Sequence, residues 1–127
     1  MTLRVRLLLG FAALSGMLAV AAGAFGEHGE TVAQAKDWLK TGAEYGLAHA
    51  LAVFAAFALM RAEARFAEVA GWLLLAGGVL FSWSLDLMAV TGDMRLGMVT
   101  PVGGPLMMAG WLALAVSALA GPRRAAP

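Results

Sequence analysis

Two pairs of polar side chains interrupt an otherwise apolar sequence, and they are its best candidates for chemistry. Tyr45 and His49 are four residues apart, and so are Ser82 and Asp86, which places each pair on one face if the segments are helical. We expect Asp86 to pair with His49, with the tyrosine and the serine hydrogen-bonded beside them. The candidate ligand-binding set comprises His28, Tyr45, His49, Ser82, Asp86 and Thr100.

The composition is typical of an integral membrane protein. Of the 127 residues, 61% are hydrophobic and only 13% are charged, whereas soluble domains carry roughly 25% charged residues. A net charge of +1 argues against nucleic-acid binding, which needs a basic face. Because the chain has no cysteine, it has no disulfide and no thiolate ligand or nucleophile. We expect one membrane domain over residues 1–127.

Four segments are apolar enough to cross a bilayer as helices, which takes about 20 residues each. Backbone N–H and C=O groups without hydrogen-bond partners are not tolerated in lipid. These segments are therefore expected to be helical. The predicted fold is therefore all-α, a bundle of four transmembrane helices that forms two hairpins if the leucine-rich starts of helices 1 and 3 mark a repeat. The predicted helices cover about residues 5–25, 43–60, 69–90 and 99–119.

The loop between the first two spans carries a helical pattern of its own. In "TVAQAKDWLK", Val32, Ala35, Trp38 and Leu39 fall on one helical face, with polar residues elsewhere. That spacing predicts a short amphipathic helix lying at the membrane interface, and an ordinary ordered loop is the alternative.

The first span has a second interpretation as a secretory signal peptide. Two arginines precede it and small residues end it, with cleavage after Ala22 or Ala24. Its apolar run of about twenty residues exceeds the 7–15 residues of a usual signal core, which favours a retained helix.

Basic residues are unevenly divided between the two sides of the predicted bundle. Lys36, Lys40 and Arg95 lie on one side, and the remaining six lie on the side of the two termini. Because cytoplasmic segments carry the excess of Lys and Arg, we expect both termini in the cytoplasm. The six are Arg4, Arg6, Arg61, Arg65, Arg123 and Arg124.

With this orientation the candidate ligand-binding residues fall in the outer half of the membrane. Three interpretations of this polar cluster stay open. The first is a hydrogen-bonded cluster that fixes helix packing. The second is a binding or proton-handling site, because ionisable residues within a membrane often mark such paths. The third is a metal site of His28, His49 and a carboxylate, although the two histidines lack a compact ligand motif.

The segment "TPVGGP", residues 100–105, is expected to begin the fourth helix irregularly. Pro101 suits a first turn, since its missing N–H would be unbonded there, and Thr100 is the expected cap. The two glycines and the second proline weaken the next turn, which is tolerated only where the backbone lines a cavity or is buried in protein.

The sequence contains no established catalytic signature. It has no G-x-S-x-G elbow, no P-loop and no H-E-x-x-H motif. We therefore expect no enzyme activity, no cofactor and no metal site.

Four motifs together resemble a known family over almost the whole chain. They are "GAFGEHG", "TGAEYGLAHALA", "LFSWSLDLMAVTG" and "TPVGGPLMMAGW". The sequence resembles the small bacterial inner-membrane proteins classed as domain of unknown function 423, to which animal transmembrane protein 256 is similar. The resemblance implies four uncleaved helices and supplies no activity. It does not extend to Glu27 or Asp86, where the family pattern has a small residue and a tyrosine.

We expect a non-enzymatic binding or assembly subunit with an outward-facing polar pocket. The alternative is a small-solute or proton-handling transporter-like subunit. The expected partners are the lipid bilayer and either another membrane protein or a second copy of the chain, and nucleic acid is excluded.

Overall fold

A computed structural model describes residues 1–122, which form four long α-helices and one short 3-10 helix. All four α-helices are long and apolar enough to cross a membrane, which confirms the predicted bundle of four transmembrane helices. Arg123 and Arg124, which entered the charge count, lie outside the described residues. The helices are α1 (Leu3–His28), α2 (Ala33–Arg61), α3 (Ala67–Thr91) and α4 (Thr100–Ala120), and the 3-10 helix covers Met94–Met98.

The helices pack in chain order as an open bundle with α3 near its centre. α1 packs along α2, α2 along α3 and α3 along α4, whereas α1 and α4 do not touch within residues 1–122. Each neighbour is antiparallel. α1 and α3 therefore begin at one end, which we call the terminal end, and the opposite end, where α1 finishes, we call the His28 end. Leu8, Val53 and Leu74 form the centre of the core nearer the terminal end.

The backbones of α3 and α4 touch directly, because glycines occupy the crossing. A Cβ atom on Gly77 would lie 2.6 Å from the backbone nitrogen of Met107, and one on Gly103 would lie 2.6 Å from the backbone nitrogen of Phe81. Real Cβ atoms do not approach so closely, so no larger residue fits at either position. Close backbone approach at small residues is a principal source of packing energy between membrane helices.

α2 also approaches the other side of α3 at glycines, which here receive side chains of the facing helix. A Cβ atom on Gly46 would lie 3.1 Å from the Ser82 Oγ, and one on Gly78 would lie 2.8 Å from the His49 Cβ. Gly42 contacts the carboxylate of Asp86. The glycines thus fix the register of α2 against α3, and this register decides which polar side chains meet.

The separate interfacial helix predicted between the first two spans is wrong. Its residues are helical, but they form the first turns of α2, which begins at Ala33 and continues unbroken to Arg61. Each further residue in a helix adds a hydrogen bond, and no proline interrupts this stretch. Gly42 does not end the helix because α3 packs against it at this point.

The expected irregular start of α4 is also displaced. Thr100 is the first residue of the helix rather than its cap, since the cap position is held by Val99 without a side-chain hydrogen bond. Pro101 lies in the first turn as predicted, and Pro105 stands inside a continuous helix. Thr100 does not cap because its hydroxyl bonds across to α3 instead.

The irregular segment is instead the 3-10 helix before α4. The side chain of Asp93 accepts a hydrogen bond from the backbone N–H of Arg95 and forms an ion pair with its guanidinium, 2.9 Å apart. This contact holds the pKa of the Asp93 carboxyl below its ordinary value. The short helix therefore begins with a local charge pair at the His28 end.

Adjacent glycines in α4 provide a test of the α3–α4 contact. Gly103→Ala should destabilise the protein by about 1–3 kcal/mol, since its methyl group has no space against Phe81. Gly104→Ala should be neutral or slightly stabilising, because nothing lies within 4 Å of that position and alanine is the better helix former. Thermal unfolding in lipid nanodiscs measures both, and equal stability of the two variants would contradict the contact.

Candidate functional site

His49 lies where α2, α3 and α4 meet, and both of its ring nitrogens are hydrogen-bonded. Its Nδ1 is 2.7 Å from the backbone oxygen of Tyr45, and its Nε2 is 3.1 Å from the indole Nε1 of Trp111. A carbonyl only accepts and an indole N–H only donates, so this network assigns the proton to Nδ1 and leaves the ring neutral. The residue is 6% exposed.

Aromatic rings surround this histidine and extend the contact across three helices. The Tyr45 ring lies parallel to the imidazole, with 6.1 Å between centroids. On Tyr45 there also packs the ring of Phe81, with 4.8 Å between centroids. Trp111 meets the imidazole edge-on at 6.0 Å. His49 therefore joins α2 to α4 across Gly78 of α3, and it has no ring nitrogen left for a ligand.

Trp111 is the partner that the sequence analysis missed. It stands in "LMMAGW", which was noted only for its resemblance to a family. An indole N–H inside a membrane normally finds an acceptor, so a tryptophan in the middle of an apolar span was an available signal.

The second polar contact joins α3 to the first turn of α4. The hydroxyl groups of Ser84 and Thr100 are 2.6 Å apart, and Ser84 also donates to the backbone oxygen of Phe81 at 2.9 Å. Since Ser84 has one hydroxyl proton, Thr100 is the donor between the two hydroxyl groups. Thr100 is thus a packing partner of Ser84 and not a neighbour of His49.

The expected pairing of Asp86 with His49 is wrong. His49 of α2 faces Gly78 of α3, whereas Asp86 of α3 faces Gly42 of α2. Gly42 and His49 are two helical turns, or about 10 Å, apart along α2. The glycine-directed register therefore keeps the carboxyl and the imidazole apart. Within residues 1–122, the Oδ1 of Asp86 and the Oγ of Ser82 are both buried without a hydrogen-bond partner.

Asp86 lines a groove between α1 and α3 at the His28 end. The groove has a volume of about 370 Å³, with Leu18 and Phe25 of α1 on one wall, Trp83 and Leu87 of α3 on the other, and Leu39 of α2 at its floor. Among residues 1–122, Asp86 is the one ionisable residue of its lining. The result is an apolar groove, open at the side of the bundle, with a single carboxyl group.

His28 does not join the other candidates. It is the last residue of α1 and is exposed. In the described part of the chain, no three His, Asp or Glu side chains lie close enough to hold a metal ion. The structure thus separates the predicted set into a closed group around His49, a hydroxyl pair at Thr100, a serine buried against α2, a carboxyl group that lines a groove, and an isolated histidine.

A double-mutant cycle tests the bond between Trp111 and His49. Trp111→Phe should cost about 1–3 kcal/mol in the unfolding free energy, because it leaves a buried imidazole nitrogen without its donor. In a His49→Phe background the same change should cost far less, since no acceptor remains. An equal cost in both backgrounds, measured by thermal unfolding in nanodiscs, would exclude the bond.

Comparison with known proteins finds a family of membrane proteins. A family model described as "Protein of unknown function (DUF423)" matches residues 22–104. The UPF0382 membrane protein YwdK of Bacillus subtilis is 38% identical over 122 residues, which is 92% of this chain and 98% of that protein. The UPF0382 inner membrane protein YgdD of Escherichia coli K12 is 39% identical over 118 residues, 90% of each chain. No solved structure gives a significant match. The chain therefore belongs to the DUF423 family.

Proposed function

We propose that the protein is a non-enzymatic binding subunit of the inner membrane that holds a small amphipathic molecule in the groove between α1 and α3. The observation that carries this proposal is Asp86, whose buried Oδ1 has no hydrogen-bond partner among residues 1–122 although the residue lines an apolar groove. An ionisable side chain inside a membrane is costly unless it finds a partner. Because this Oδ1 is packed against Gly42, a bound molecule that donates a hydrogen bond reaches the carboxyl group of Asp86 from the groove side.

The shape and chemistry of the groove support the same class of ligand. Its walls are leucine, alanine and aromatic side chains, which suit an apolar body. Because it lies between an edge helix and α3, a molecule dissolved in the lipid reaches it from the side. The carboxyl group of Asp86 selects a head group that is cationic or carries a hydroxyl or amine donor.

The proposed site is smaller than the polar pocket expected from the sequence. His49 takes no part, because both ring nitrogens already have partners. Ser82, one helical turn from Asp86 on α3, is buried against Gly46 of α2 and is not among the residues of the described chain that line the groove. The contact to the ligand is thus assigned to the carboxyl group of Asp86.

The orientation of the bundle belongs to the proposal as well. Arg4, Arg6, Arg61 and Arg65 lie at the terminal end, and the positive-inside rule assigns that end to the cytoplasm. Both termini are then cytoplasmic, and the groove of Asp86 opens in the outer half of the membrane.

A proton-handling or transporter-like subunit is the second candidate, and Asp86 is again the observation that favours it. A path across the membrane needs polar groups beyond this carboxyl toward the terminal end. Leu8, Val53 and Leu74 are fully buried in that half of the described chain. The apolar core favours binding over transport.

Asp86→Leu tests whether the carboxyl group serves a ligand. Native mass spectrometry of protein extracted gently from its own membrane should show a bound small molecule on the wild type that the variant lacks. Glu44→Gln is the control, because it removes an exposed carboxylate of α2 near the same end. A bound molecule that survives Asp86→Leu, or a wild type with none, would contradict the proposal.

The same variant distinguishes a binding role from a structural one. After delipidation, Asp86→Leu should be more stable than the wild type by about 1–3 kcal/mol, because a buried oxygen without a partner is removed. If the carboxyl group instead held the helices together, the leucine would lower the unfolding temperature.

A further inference from the structure

A second groove lies between α1 and α3 at the terminal end. Its volume is about 900 Å³, and its walls are Leu7 of α1 with Val69, Trp72 and Leu73 of α3. Arg4 lines its mouth from the first turn of α1. The groove thus combines an apolar interior, open at the side of the bundle, with a guanidinium group at the membrane surface.

Arg4 is free to meet an anion. It is exposed, and it forms no ion pair with a carboxylate of residues 1–122. α1 and α3 both begin at this end, so the positive ends of their helix dipoles face the mouth. α1 has no acidic residue in its first turn, whereas α3 has Glu68. Arg4 and the two helix dipoles therefore favour a negatively charged group, and Glu68 opposes one.

The aromatic residues place the groove at the depth of lipid head groups. Trp72 lies in the second turn of α3, a position where tryptophan anchors to the membrane interface. Phe66, which precedes α3 with a left-handed φ of 63°, also lines the mouth. An acyl chain that follows the apolar walls from this point lies parallel to α1 and α3.

We propose that this groove binds an anionic membrane phospholipid, with its phosphate against Arg4 and an acyl chain between α1 and α3. Basic residues beside a cavity at the membrane surface are a common recognition element for such lipids. A free phosphate ion makes no use of the apolar walls, so a lipid is the occupant that the whole groove fits. The site differs from that of Asp86 in position and in ligand charge, and does not depend on it.

Glu68 gives the site an internal control. Its carboxylate is half-buried at the same mouth, in the first turn of α3. A negative charge there opposes a phosphate group, so its removal strengthens binding while removal of Arg4 weakens it. A general attraction of the terminal end for anionic membranes makes no distinction between Arg4 and its neighbour Arg6.

The experiment compares phosphatidylglycerol with phosphatidylcholine of the same acyl chains, added to the purified full-length protein and followed by native mass spectrometry. Arg4→Gln should lower the affinity for phosphatidylglycerol about fivefold and leave that for phosphatidylcholine unchanged. Arg6→Gln, which removes the same charge outside the groove, should have little effect. Glu68→Gln should raise the affinity for phosphatidylglycerol.

A blocking variant keeps the test independent of charge. Ala76 is exposed and lines the groove, so Ala76→Phe fills the groove without touching the core. This variant should bind both lipids more weakly and keep the unfolding temperature of the wild type. Equal losses in Arg4→Gln and Arg6→Gln, no loss in Arg4→Gln, or unchanged binding in Ala76→Phe would each overturn the proposal. Displacement of the lipid by inorganic phosphate would also overturn it, since the site would then recognise a free anion.

Discussion

The close approach of α3 to both of its neighbours is the contact on which the rest of the structure depends. Lipid supplies no hydrophobic drive for helix association, so the helices must gain packing energy from direct contact. Gly77 and Gly103 let α3 and α4 touch through their backbones, and Gly46 and Gly78 let side chains of the facing helix lie against the backbones of α2 and α3. Once these contacts are made, the register is fixed. α1 and α4 remain at the edges of an open bundle, and grooves form beside α1 where it does not close against α3.

That register sorts the polar side chains into closed and open groups. His49 is set opposite Gly78, where it reaches the Tyr45 carbonyl and the Trp111 indole, and both ring nitrogens are satisfied. Asp86 is set opposite Gly42, two turns away, where the neighbouring residues offer its Oδ1 no donor. The same constraint therefore gives the imidazole a structural role in joining helices and leaves the carboxyl group in the lining of an apolar groove.

The sequence was sufficient for the properties that depend on composition and on local pattern. Hydropathy predicts the four spans and their order, and helical spacing predicts that Tyr45 and His49 share one face. The pairing of Asp86 with His49 failed because spacing along one helix does not give its register against the next, which is set here by Gly42 and Gly46 of α2 and Gly78 of α3. The role of Thr100 failed for a related reason, since its partner Ser84 lies on another helix. Contacts between helices are not encoded in the spacing along one of them.

Asp86 lines a groove that opens to the lipid side of the bundle, whereas His49 is closed within the bundle. Solid-state NMR of the protein in lipid bilayers tests this directly, with ¹³C-labelled aspartate, ¹⁵N-labelled histidine and tryptophan, and proton spin diffusion from the lipid acyl chains. We predict rapid transfer from the acyl chains to the Asp86 carboxyl carbon, slow transfer to the His49 ring, and a correlation between the His49 Nε2 and the Trp111 indole proton. A correlation between the Asp86 carboxyl group and the His49 ring, with equally slow transfer to both, would contradict the account.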